Sequence, residues 1–109
     1  MLKMLGIITE RGKAERICGA IKQVGAQYEH VFLATGTARS DVLTVLGLGT
    51  SEREVILCTV MDENLDAVYK VLREDFDFEK HGTGIAFTIP VTAVGGPASL
   101  YILSGGQAK

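Results

Sequence analysis

The chain has no tryptophan, only two cysteines and only two prolines among its 109 residues, and each scarcity narrows the field. Two cysteines make no disulfide framework, and Cys18 and Cys58 lack the two-residue spacing of a zinc or redox pair. Both read as small buried hydrophobes, so no structural metal is expected. Positive charge is not in excess: 11 Lys and Arg against 13 Asp and Glu give a formal net charge of −2. Nucleic-acid binding by phosphate neutralisation therefore has little to work with. No apolar run approaches the roughly 18 residues of a membrane span, and Met1-Leu2-Lys3-Met4 lacks the layout of a signal peptide. The expectation is a cytoplasmic chain.

What is present suffices for one packed core. A hydrophobic content of 47% with 22% charge describes an ordinary globule rather than a disordered chain, and the length suits a single domain. Residues 2–9 are short, apolar and bounded by charge, which predicts a strand. Ala14, Ile17, Cys18, Ile21 and Val24 recur at helical spacing within 12–25, and Gly25 supplies the stop. A second strand is predicted over 28–36 and a third over 53–61, where Glu54, Ile56, Cys58 and Val60 point to one face. Asp62 reads as the N-cap of a helix over 63–75, with Leu65, Val68, Tyr69 and Leu72 as its buried stripe. Residues 85–91 form the fourth strand, with Pro90 near its end, where a lost N–H is tolerable. The order β-α-β-β-α-β predicts an α+β, ferredoxin-like sandwich: four antiparallel strands with two helices on one face. It occupies residues 1–94. The tail, 95–109, is glycine-bracketed and apolar at Leu100 to Leu103, which suits packing on a neighbouring subunit.

Two stretches stand apart from simple fold-building. Gly82-Thr83-Gly84 directly precedes the fourth strand; such a turn can present bare backbone N–H groups to an anion, or only bend the chain. The connector 37–52 has about sixteen residues where a hairpin needs two to five, and its "VLTVLGLG" is apolar. Long connections with their own packing tend to be functional; the plain alternative is a helical turn covering the sheet edge. Enzyme chemistry finds no support. His30 and His81 are lone histidines, the acids of "EDFDFE" read as a solvated loop, and no nucleophile stands beside a base.

Together these features resemble the PII signalling family over residues 2–94. The resemblance lies in the element order, the long loop between strands two and three, the run Gly82-Thr83-Gly84-Ile85-Ala86-Phe87-Thr88-Ile89-Pro90-Val91, and "ATGTAR" at 34–39. It implies a homotrimer that needs no cofactor and binds an adenine nucleotide as effector between subunits. A protein target would be gripped through the loop 38–53, in nitrogen or carbon regulation. Carried over by position, Gly36, Thr37, Ala38 and Arg39 would line one side of the cleft and Gly82, Thr83 and Gly84 the phosphate side. Arg53 stands where the family has a lysine.

The departures are equally specific. Ile85 replaces the lysine that follows the glycine turn in the family, "TAVGGPASLYILSGG" has no basic residue where the family carries a pair of arginines after its last strand, and the connector has no tyrosine. Each lost charge-assisted hydrogen bond removes about 1.5–3 kcal/mol, so three lost cations weaken triphosphate binding by roughly 10³-fold or more. A monophosphate, a cyclic nucleotide or another small anion suits the remaining charge better. Two other readings share the element order: a structural trimer of the CutA kind without nucleotide dependence, and an ACT-like module binding its ligand near "TERGKAE".

Overall fold

The computed structural model describes residues 1–35, 52–80 and 84–96. Strand β1 (Leu2–Glu10), helix α1 (Ala14–Lys22), strand β2 (Gln27–Thr35), strand β3 (Glu52–Met61), helix α2 (Asp62–Asp75) and strand β4 (Gly84–Pro90) follow in that order. The sheet order is β2-β3-β1-β4, and all three pairings are antiparallel. This is the expected ferredoxin-like α+β fold.

Side-chain alternation explains which face carries the helices. Leu5 and Ile7 of β1 sit opposite Cys58 and Ile56 of β3, and all four are buried. Against them α1 packs Ala14, Ile17 and Ile21, and α2 packs Val68 and Leu72, each at helical spacing. Leu65, Tyr69, Phe76 and Phe78 close over this core. Cys18 is half-buried at its rim, less enclosed than expected, whereas Cys58 lies fully within.

Element ends differ from the sequence reading in two instructive places. Helix α1 is shorter than 12–25, because Arg11-Gly12 forms a turn, with Gly12 at φ +92, and Lys13 is the N-cap. At the other end, Ala26 N–H reaches back to Ile21 O across Gly25, whose φ is +111. Asp62 is not the cap of α2: it is the first helical residue, and Met61 precedes it without a side-chain cap bond. Its backbone N–H donates to Met1 O at 3.0 Å, and its carboxylate lies 3.7 Å from Lys3 Nζ. The acid thus serves the positive end of the helix from inside the first turn.

The opposite sheet face is apolar and has no helix on it among the described residues. Met4 pairs with Ile89, Gly6 with Phe87, Ile8 with Ile85 and Val55, and Phe32 with Val55. Phe32, Phe87, Ile89 and Tyr28 are each 40–49% exposed. A Cβ on Gly6 would lie 2.5 Å from Phe87 Cζ, so the glycine lets the phenyl ring lie flat across the sheet. No helix among the described residues is long and apolar enough to cross a membrane. The tail beyond residue 96 lies outside the described residues.

Candidate effector site at the open end of the sheet

Strand register gathers four chain segments at one end of the sheet. Thr9 is paired with both Glu54 and Gly84, Glu10 with Arg53, and Thr35 with Glu52. The end of β2 and the start of β3, which frame the long connector, therefore lie at the same end as the start of β4, where the glycine turn enters. Sequence separation hides this; antiparallel pairing on both sides of β1 produces it.

Of the predicted site residues, Arg53 and Gly84 are described. Gly36, Thr37, Ala38, Arg39, Gly82 and Thr83 lie outside the described residues, as do residues 37–51 of the connector and His81. Arg53 is only 4% exposed. Its Nη1 donates to the backbone oxygen of Glu52, and its side chain backs a concavity of about 210 Å³ lined also by Arg11, Leu33, Ala34, Thr35 and Glu52. Gly84 has a packing reason to be glycine: a Cβ there would lie 2.9 Å from Ile8 O and 2.8 Å from the Phe78 ring. That close approach accounts for this glycine without any ligand.

Arg11 and Glu52 join the site although sequence spacing did not single them out together. Arg11 Nη1 donates to Glu52 Oε2 at 2.8 Å. That hydrogen bond, with the attraction of the carboxylate, raises the Arg11 pKa above its usual value. Arg11 lies within "TERGKAE", and its partner is 41 residues away, beyond any local pattern.

The turn that carries Arg11 is itself anchored. Glu54 Oε1 accepts hydrogen bonds from Gly12 N–H at 2.6 Å and Ala14 N–H at 3.1 Å. The Ala14 amide is one of the donors a helix start leaves open, and Lys13 supplies no side-chain cap. Because β3 fills this anion position with its own carboxylate, the turn after β1 is poorly suited to the ligand that an ACT-like module would hold there.

His30 is exposed on the apolar sheet face, opposite Leu57 and stacked on Tyr28 with ring centroids 6.4 Å apart. Among the described residues no group of three His, Cys, Asp or Glu side chains is placed to hold a metal ion.

No family model and no curated protein matches the sequence. The fold does match solved structures. CPII, a nitrogen regulatory PII-like protein from Thiomonas intermedia K12 bound to ADP, AMP and bicarbonate, is 22% identical with a TM-score of 0.66, over 88% of this chain and 94% of that one. The same protein bound to ADP, AMP and acetate gives 19% identity and a TM-score of 0.60, over 80% and 82% of the two chains. A PII-like signalling protein from Thermus thermophilus is 19% identical with a TM-score of 0.60, over 81% and 83%. The resemblance seen in the sequence thus holds at the level of architecture: this chain is built on the PII-like fold.

Proposed function

We propose that this protein is a non-enzymatic PII-like regulator that binds a small anionic effector, foremost an adenine nucleotide, at the open end of the sheet. It assembles as a homotrimer through the apolar sheet face, and the effector occupies the cleft between neighbouring copies. The connector 38–53 carries the signal to a protein target, and nitrogen regulation is the field in which the neighbouring CPII is placed.

The observation that carries this reading is the meeting of the connector's base and the glycine turn's exit at one end of one sheet, beside Arg11 and Arg53. Nothing in packing a ferredoxin-like core requires two arginines there. Support also comes from CPII, which is bound to ADP and AMP together with bicarbonate in one structure and acetate in another. Ile85, in place of a phosphate-binding lysine, sits opposite Ile8 on the apolar face and contributes no charge. A mono- or diphosphate therefore matches the site better than a triphosphate.

The test is a thermal-shift screen against AMP, ADP, ATP and cyclic AMP, with and without magnesium, together with sedimentation mass. A ligand that binds only the native state at 100 times its Kd adds about 2.7 kcal/mol of stability. AMP or ADP should raise the melting temperature, Thr83→Glu should abolish the rise, and the mass should be three times that of one chain. No shift at millimolar nucleotide, with the trimer intact, would move the structural CutA-like reading to first place.

A further inference from the structure

We infer that Arg11 is an anion-binding residue of this site and that Glu52 is its built-in competitor: an arriving phosphate group exchanges with the Glu52 carboxylate on the Arg11 guanidinium. The inference rests on the effector reading above and supplies charge that the family-like positions lack, since Ile85 and residues 92–106 bring none.

Three observations support it. Arg11 and Glu52 are in direct contact at 2.8 Å yet remain 60% and 58% exposed, so water and a ligand reach both. They line the same concavity, with Arg53 behind them. The root of Arg11 is held in place, because the next residue, Gly12, and the helix start at Ala14 are both bonded to Glu54. A guanidinium displayed from a fixed turn can change partner by moving its side chain alone.

The direction of exchange follows from charge and geometry. An exposed arginine–carboxylate pair holds its partners weakly in water. A phosphate monoester carries close to two negative charges and presents oxygens that the guanidinium fork can bind in pairs. Glu52 opposes such a ligand twice, by occupying Arg11 and by repelling the incoming anion. The pair then sets the effector concentration at which the site fills, and it favours groups of higher charge over a single carboxylate.

The experiment is calorimetric titration of the full chain with AMP and with ADP at fixed low ionic strength. Arg11→Gln should weaken binding about tenfold, and Glu52→Gln should strengthen it about threefold. In the Arg11→Gln background the Glu52→Gln gain should shrink to the part due to relieved repulsion, because the competitor no longer has a shared target. Lys70→Gln, on α2 and paired with Glu74 at 4.0 Å, should leave affinity unchanged and so separates local exchange from net charge. Melting without nucleotide checks that each variant folds. Binding unchanged in Arg11→Gln, or unimproved in Glu52→Gln, overturns the exchange while leaving the effector reading standing. A wild-type chain that binds neither nucleotide overturns both.

Discussion

Replacing Glu54 by alanine should destabilise the domain through a helix that lies far upstream of it in sequence. The carboxylate belongs to β3, and the amides it accepts from, Gly12 N–H at 2.6 Å and Ala14 N–H at 3.1 Å, belong to the turn before α1 and to its first residue. Charge-assisted hydrogen bonds contribute about 1.5–3 kcal/mol each, so the two together set an upper range of about 3–6 kcal/mol. Gly12 is exposed, so water takes over its amide and much of that contribution is recovered. Loss of a helix cap alone costs about 1 kcal/mol, and loss of the favourable charge at the positive helix end adds about 0.5 kcal/mol. We expect Glu54→Ala to cost about 2 kcal/mol, a fall of about 8–16 °C in Tm for a domain of this size. Glu54→Gln keeps an acceptor without the charge, and neutral bonds are about half as strong, so its cost should be about 1 kcal/mol. Urea unfolding at one protein concentration measures both. A Glu54→Ala variant within about 0.5 kcal/mol of wild type, the ordinary range of a surface substitution, would refute the reasoning. So would a glutamine variant as damaged as the alanine one.

Further outcomes follow from the same structure. Gly84→Ala drives a Cβ to 2.9 Å from Ile8 O, a backbone atom fixed in the sheet; overpacking of this kind costs about 1–3 kcal/mol, and a denaturant midpoint equal to wild type would contradict it. Gly6→Ala meets only the tip of the Phe87 ring, at 2.5 Å, so its cost should be about 1 kcal/mol. Part of that cost should return in Gly6→Ala/Phe87→Leu, read as non-additivity in a double-mutant cycle. Burial pushes the Cys58 thiol up to about 12 from 9.0, and burial also raises Cys18. The unfolded thiol ionises near pH 9 while the folded one stays protonated, so this contribution to stability is complete below pH 9 and is lost as pH rises toward 12. Cys58→Ala should flatten that alkaline decline in urea unfolding, and native Cys58 should resist thiol reagents at about pH 8.

Local patterns carried most of the fold. The alternation through Leu5, Ile7, Ile56 and Cys58 and the helical spacing of Ala14, Ile17 and Ile21 each follow from burial on one face, which neighbouring residues reveal. What escaped was whatever depends on partners distant in sequence. Asp62 looked like a cap because its residue type favours that position, but the chain enters the helix one residue earlier and Lys3 draws the carboxylate. Glu54 read as a polar residue on a strand; that it closes a helix start 40 residues upstream cannot be seen before β1 and β3 are paired. Likewise Gly84 was singled out as part of an anion turn, and its crowding against Ile8 and Phe78 is a further packing demand that appears only once β1 and β4 are paired. Arg53 was singled out through the resemblance alone and lines the concavity with Arg11 and Glu52, which became partners only through register.

The sheet order has a consequence for how the chain acquires its structure. β1 is made first but lies between β3 and β4, so Leu5 has its neighbours at Cys58 and Thr88. Loops of that length must close before any pairing to β1 is rewarded, which slows folding as contact order rises. During synthesis β1 remains an unpaired apolar segment until β3 has been made, and its second edge stays open until β4 emerges. Conditions that delay the later strands should therefore raise aggregation of the nascent chain without changing the stability of the finished protein.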